Sequence, residues 1–205
     1  MGQYYSPINL DKKQYFEDIK GSSKLMEHSY IGNNFVNVVE NLLSLRGNWY
    51  KTRLVWAGDY MDKGLFIPKD KLNEIIYEYN GKESRGNEIS LYLYADKFFK
   101  KIQSNKKKEY GRYIINHTKK EYVDKKNIPI FDVISINRGI RKRKIHPLPL
   151  LTCSGNNRGG GDYHGNNMEK VGSWAGDIIS VENKLLDKYL NEYSEIHPDF
   201  KKTDK

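Results

Sequence analysis

The segment Cys153-Ser154-Gly155-Asn156-Asn157-Arg158-Gly159-Gly160-Gly161-Asp162-Tyr163-His164-Gly165 contains five glycines. Glycine relaxes the steric limits on the backbone, so successive main-chain N–H groups can curve around an anion. Arg158 can add a bidentate contact to a phosphate or carboxylate. The segment is not a P-loop: Gly155 and Gly160 have the opening spacing, but Gly161-Asp162 stand where Lys and Ser or Thr are required. It reads equally well as a plain surface loop. The tetrapeptide Trp-Ala-Gly-Asp occurs twice, as Trp56–Asp59 and Trp174–Asp177. Each aspartate can close a local turn on nearby N–H groups. If the two copies face each other, Asp59 and Asp177, joined by Asp62 and Asp162, can instead hold a ligand or a divalent cation. The histidines His28, His117, His146, His164 and His197 are scattered, with no zinc spacing. Cys153 and His164 have the chemistry of a nucleophile and base, but no third orienting group is indicated.

These residues need elements to position them. Gln3–Leu10 and Gln14–Ile19 read as two strands around Asp11-Lys12-Lys13, and Tyr113–Asn116 with Glu121–Asp124 read as the same hairpin. Five of nine residues are identical between Ile8–Phe16 and Ile115–Val123. Gly32-Asn33-Asn34 recurs as Gly155-Asn156-Asn157, between the hairpin and the tetrapeptide in each copy. Asn33 or Asn34 caps a helix carrying Phe35, Val38, Val39, Leu42 and Leu43. Arg53–Trp56 is a buried strand. Apolar spacing predicts helices over Asp70–Tyr79, Asn87–Gln103 and Val181–Tyr193. Ile130–Ile136, Leu148–Thr152 and Asp177–Val181 read as strands. The expected fold is α+β, with a mixed or antiparallel sheet and several packed helices. We expect one domain over residues 1–205, duplicated internally with halves of about 1–105 and 106–205.

The chain has 205 residues, 16 Tyr, 7 Phe and 3 Trp, and these rings can supply a substantial core. A single cysteine excludes an internal disulfide framework. With no apolar run of membrane length and no signal-peptide pattern, we expect a protein inside the cell or a virion, and not a secreted one. The opening Met1–Ser6 also fits the N-myristoylation pattern. Charge is uneven. Residues Lys97–His146 hold 16 Lys and Arg against 4 Asp and Glu, a net +12 in a chain whose total is +9. Such a field attracts an anionic small molecule or nucleic acid, or forms a solvated face.

The chain resembles a family of small uncharacterised proteins from bacteria, phages and large DNA viruses. The resemblance lies in Met1-Gly2-Gln3-Tyr4-Tyr5, Asn9–Lys13, Lys24–His28, Val55–Tyr60, Asn116–Val123 and Gly155–Tyr163. It implies no activity and assigns no residue a role.

Three functions follow as expectations. The leading one is a non-catalytic binder of a nucleotide-like anion. Its ligand would sit against Arg158, Gly159, Gly160, Gly161, His164, Trp56 and Trp174, steered by Arg138 and Arg141. The second is a metal-dependent phosphoester hydrolase using Asp162, His164, Asp59 and Asp177 with Mg²⁺; the first needs no cofactor. The third is a viral structural or host-interaction protein whose basic stretch docks an acidic partner or nucleic acid, with assembly into an oligomer left open.

Overall fold

The computed structural model describes residues 3–17, 23–61, 64–72, 76–79, 82–85, 89–104, 108, 110–135, 139–155 and 163–201. In chain order the strands are β1 (Tyr4–Asn9), β2 (Gln14–Phe16), β3 (Ser23–Lys24), β4 (Thr52–Gly58), β5 (Ile76–Tyr79), β6 (Lys82–Arg85), β7 (Lys100–Ile102), β8 (Tyr113–Asn116), β9 (Glu121–Asp124), β10 (Phe131–Ser135), β11 (Gly139–Arg143), β12 (Cys153–Ser154), β13 (Ile178–Glu182) and β14 (Ser194–Glu195). The helices are α1 (Leu25–His28), α2 (Asn34–Leu42), α3 (Lys69–Leu72), α4 (Leu91–Phe98), α5 (Pro147–Thr152) and α6 (Asp187–Glu192). The fold is α+β. One mixed sheet runs β14-β9-β8-β13-β4-β1-β2-β7, with β3 beside β1 and β12 beside β4.

The centre of this sheet is buried on both faces. Along β4 the side chains alternate, Leu54 and Trp56 to one face and Val55 and Ala57 to the other, and all four are fully buried. The first face carries the main core, in which Phe35, Val36, Val38 and Val39 of α2 and Leu148, Leu150 and Leu151 of α5 pack with Leu54, Ile114, Val123, Ile179 and Val181. The opposite face is covered in two pieces. Leu91, Tyr94 and Ala95 of α4 pack with Ile8, Tyr15 and Val55, while Tyr189 of α6 packs with Ile115 and Tyr122. Helix α2 starts where Asn33 Oδ1 accepts hydrogen bonds from the N–H groups of Phe35 (2.8 Å) and Val36 (3.4 Å).

A buried charged cluster joins α2 to the second half. Glu40 Oε1 accepts from Lys125 Nζ (2.6 Å) and from His146 Nε2 (2.9 Å), and all three side chains are buried. His146 Nδ1 accepts from Leu148 N (3.2 Å), so the ring proton sits on Nε2 and the imidazole also caps α5.

The repeated hairpin is present in the structure. Ile8 pairs with Tyr15 and Asn9 with Gln14; Ile115 pairs with Tyr122 and Asn116 with Glu121. Both turns place a lysine at positive φ, Lys13 at 50° and Lys120 at 55°. Asn9 Oδ1 accepts from Lys12 N (2.8 Å), as Asn116 Oδ1 accepts from Lys119 N (3.0 Å). The third strand of each set continues the match, since Asn9 lies opposite Leu54 and Asn116 opposite Ile179. The repeated tetrapeptide does not match. The same registers align Trp56 with Val181 and Thr52 with Asp177, so the two copies of Trp-Ala-Gly-Asp occupy different places.

Other expectations are corrected. Residues 70–79 do not form one helix: α3 ends at Leu72, and Ile76–Tyr79 is a strand, β5, paired with β6. Asn-Gly favours the tight hairpin turn more strongly than it marks a helix end. The helix predicted to Gln103 stops at Phe98 and gives way to β7, parallel to β2. Residues 148–152 are helical rather than extended, with Pro147 in the first turn, where its missing N–H costs nothing. The last helix spans only Asp187–Glu192.

Candidate functional site

The two aspartates singled out from the sequence lie at different ends of β4. Asp59 follows the strand, and its Oδ1 accepts from Tyr4 N (3.0 Å). Burial pushes its carboxyl above the usual range, against hydrogen bonds from the N–H groups of Tyr4, Asp59 and Tyr60. Asp177 lies beside Leu54, whose N–H donates to its main-chain oxygen (3.1 Å). Five residues of strand separate Leu54 from Asp59, about 16 Å at the usual rise. The pair therefore does not face across one site. Asp177 Oδ2 accepts from Asn116 Nδ2 (2.8 Å), and in the other hairpin Thr52 Oγ1 accepts from Asn9 Nδ2 (2.7 Å) at the matching position. Asp177 thus does the turn-holding work of a hydroxyl.

Trp56 and Trp174 are corrected as stacking platforms, because both are fully buried. Trp56 Nε1 donates to His28 Nε2 (2.9 Å), and Trp174 Nε1 donates to Glu121 Oε2 (2.7 Å). Cys153 is also buried, donates to Leu150 O (3.2 Å), and is pushed up to about 12 by burial, which makes it a poor nucleophile. His164 is exposed. Arg158, Gly159, Gly160, Gly161, Asp162, Asp62 and Arg138 lie outside the described residues, and Arg141 lies on β11.

The two ends of the glycine-rich segment are fixed in the fold. It leaves from β12, where Ser154 pairs with Ala57 of β4, two residues before Asp59. It returns at Tyr163, whose buried ring meets Phe200 edge-on (5.6 Å) and whose hydroxyl donates to Lys201 O (3.3 Å). Gly165 is required at the return, since a Cβ there would sit 1.8 Å from Lys201 O.

The segment 199–201 also walls a cleft of about 240 Å³. Beyond Ile196, whose N–H donates to Tyr122 O (2.8 Å), the C-terminal segment parts from β9. Val123, Ile128, Pro129, Ile196 and Pro198 give the cleft apolar walls, and Asp124, Asn127, His197, Asp199 and Lys201 stand among them. Arg112 already donates to Asp124 through Nε and Nη2 and holds that carboxyl below the usual range. The cleft is close to neutral in charge and small for a nucleotide.

A different feature gathers the positive charge. Strands β10 and β11 form a two-stranded ribbon, paired from Phe131↔Arg143 to Ser135↔Gly139. Among the described residues the ribbon hydrogen-bonds to no strand of the main sheet. Its base is anchored: Tyr30 stacks on Phe131 (6.4 Å), Ile31 N donates to Lys144 O (3.0 Å), and Ile145 is fully buried. Four consecutive cations, Arg141-Lys142-Arg143-Lys144, run down β11 to this base. Lys142 and Arg143 are exposed. The Arg143 guanidinium lies 4.6 Å from the centre of the Tyr30 ring, and Lys144 Nζ donates to Lys126 O (3.1 Å), which brings exposed Lys126 to the same place.

Sequence reasoning missed one polar network. His117 Nε2 lies 2.8 Å from Ser180 Oγ, and its Nδ1 lies 3.3 Å from the Tyr193 hydroxyl. Ser180 donates to Glu182 Oε1 (3.1 Å), which also accepts from the Tyr50 hydroxyl (3.0 Å). Burial, then the nearby charges of Lys51 and Lys188, lower His117 to about 4. Ser180 is fully buried, so the His–Ser contact presents no exposed nucleophile; the contacts of His117 with Tyr189 and Tyr193 tie α6 to the sheet. The hairpin echo held a clue: His117 takes the place of Leu10, a polar residue where its copy is apolar.

Among the described residues no group of three or more His, Cys, Asp or Glu converges as a metal site, and no helix is long and apolar enough to cross a membrane. In comparison with known proteins, no family model matches the chain, and no curated protein or solved structure matches it significantly.

Proposed function

We propose that this chain binds nucleic acid without turning it over, through the basic ribbon and the lysines at its base. One observation carries the reading: a self-paired ribbon that, among the described residues, hydrogen-bonds to no strand of the main sheet bears Arg141, Lys142 and Arg143 in succession, with Lys144 following. Elsewhere several cations are already matched by carboxylates, as in Arg53–Asp11, Lys101–Glu17, Arg112–Asp124 and Lys125–Glu40. A polyanion suits this layout better than a single nucleotide, since the two tryptophans that would have stacked on a base are in the core. Phosphate contacts supply affinity and make it depend on salt.

The test is fluorescence anisotropy of a labelled 20-base-pair duplex across a salt series. Four neutralised phosphates give a log–log slope of about −3.6, a loss of about 150-fold in affinity between 50 and 200 mM salt. Replacing Lys142 and Arg143 together by Ala should flatten the slope by about 1.8. Binding whose affinity and slope ignore that double substitution would move the site away from the ribbon.

A further inference from the structure

We infer that the cleft between β9 and the C-terminal segment binds a small primary amine with a hydrocarbon body. The site needs nothing from the basic ribbon. Its walls are held in place by the fold. Val123 and Ile128 are 1% and 5% exposed, and on the opposite wall buried Pro198 and Phe200 flank Asp199. The N–H of Asp199 donates to Asn167 Oδ1 (3.1 Å), which fixes the main chain at that point. Half of the residues around the cleft are apolar, which suits a hydrocarbon body. The volume of about 240 Å³ is that of roughly eight waters at about 30 Å³ each. It lies below the roughly 300–1,000 Å³ of drug-sized sites, so the ligand has on the order of nine non-hydrogen atoms.

The polar groups then decide the ligand's charge. The cations here already have acceptors: Arg112 is on Asp124, and Lys201 Nζ lies 3.3 Å from Asp199 Oδ2. Asn127 Nδ2 donates to Glu195 Oε1 (2.7 Å), which also lies 3.5 Å from His197 Nδ1. One acceptor lacks a donor. Asp199 Oδ1 is shut off from solvent and accepts no hydrogen bond among the described residues. A carboxylate oxygen in that state is costly, and a donor that reaches it is correspondingly favoured. The side chain as a whole is 42% exposed, and the Asp χ2 torsion is soft. A rotation about it can turn the carboxylate towards a donor in the cleft while Lys201 keeps hold of the other oxygen. An ammonium suits that position best, because a hydrogen bond between two charged groups is stronger than one between neutral groups. A ligand anion would instead meet Asp124 and Asp199, and would have to take Arg112 or Lys201 from them.

The experiment is an amide NMR titration of the full chain with phenethylamine, phenethyl alcohol and hydrocinnamate, which share a phenyl-ethyl body and differ in charge. Phenethylamine should shift the amides of Val123, Ile128, Ile196 and Asp199 with a Kd on the order of 1 mM. It should bind at least tenfold more tightly than the alcohol or the acid. Asp199→Asn should weaken the amine at least tenfold. Lys201→Gln, which releases the competing cation from Asp199, should strengthen it about threefold. Both side chains are partly exposed, and unchanged amide shifts away from the cleft control for folding. Equal binding of the alcohol or the acid, an amine affinity that ignores Asp199→Asn, or a weakening by Lys201→Gln would overturn the amine assignment. Cleft amides unmoved by about 20 mM phenethylamine would overturn the site itself. Neither result bears on nucleic-acid binding, which the salt series tests separately.

Discussion

His28 should make the protein acid-labile in a way that one substitution removes. The imidazole is 2% exposed, stacks on Trp56 (5.6 Å between ring centres) and meets Phe35 edge-on (5.0 Å). Its Nε2 accepts from the Trp56 indole, so its proton sits on Nδ1, 2.9 Å from Ser23 Oγ. Burial holds the ring neutral and lowers it to about 3 from an ordinary 6.5. The unfolded chain therefore takes up a proton near pH 6.5 that the folded chain refuses until about pH 3. Stability from this group is complete above pH 6.5 and is lost as the pH falls towards 3. At pH 5 the loss is about 2 kcal/mol. His28→Gln keeps an oxygen that can accept the indole N–H and cannot titrate. Urea unfolding at pH 7.5 and pH 5 should show the parent losing about 2 kcal/mol more than the variant. The variant itself starts about 1–2 kcal/mol lower at pH 7.5, having lost the ring contacts, so the two proteins should be about equally stable at pH 5. Other titrating groups are common to both proteins and cancel in the difference. Equal losses on acidification would show that His28 is protonated in the folded state, and would refute the account of its burial.

Further outcomes follow from the same structure. Asp177→Ala leaves the fully buried Asn116 without its acceptor and should cost about 1–3 kcal/mol in urea unfolding, while Asp177→Thr, which copies Thr52, should recover most of it. Glu40→Ala removes the carboxylate from buried Lys125 and His146 and should cost about 3–5 kcal/mol; a paired Glu40→Leu, Lys125→Met variant should be more stable than the single one. The Cys153 thiol should not react with a disulfide reagent in the native protein and should react fully in 6 M guanidinium, so fast native labelling would contradict its burial.

The elements set by local chemistry were readable from the sequence. The hairpin turns at Asp11–Lys13 and Thr118–Lys120, the Asn33 cap and the apolar stripe of α2 all depend on residues within a few positions of one another. The misreadings arose where one local signal fits two structures. Leu148–Thr152 is a short apolar run that serves a strand or a buried helix, and Pro147 was the deciding residue. Asn80-Gly81 ends a helix or turns a hairpin. The candidate site was harder, because the partners that fix its residues are distant in the chain. His28 is what buries the Trp56 indole, Glu121 anchors that of Trp174, and Asn116 engages Asp177. The excess of basic residues was plain from composition, but the self-pairing of β10 and β11 was not, since periodicity in a strand carries no record of whether a third strand lies beside it.

The position of β4 sets a schedule for synthesis. Its neighbours on one edge are β12 and β13, and the nearest of their paired residues, Cys153, is roughly 100 residues downstream of its partner Trp56. Translation at about 5–20 residues per second delays those partners by on the order of 10 s. During that interval Leu54, Val55 and Trp56 belong to a strand with one open edge, while β1 and β2 can already form. Contacts this far apart in sequence also slow refolding from denaturant. A nascent chain paused between β4 and β12 should therefore be the form that engages chaperones or aggregates, and yield should respond more to elongation rate and temperature than to the stability of the finished protein.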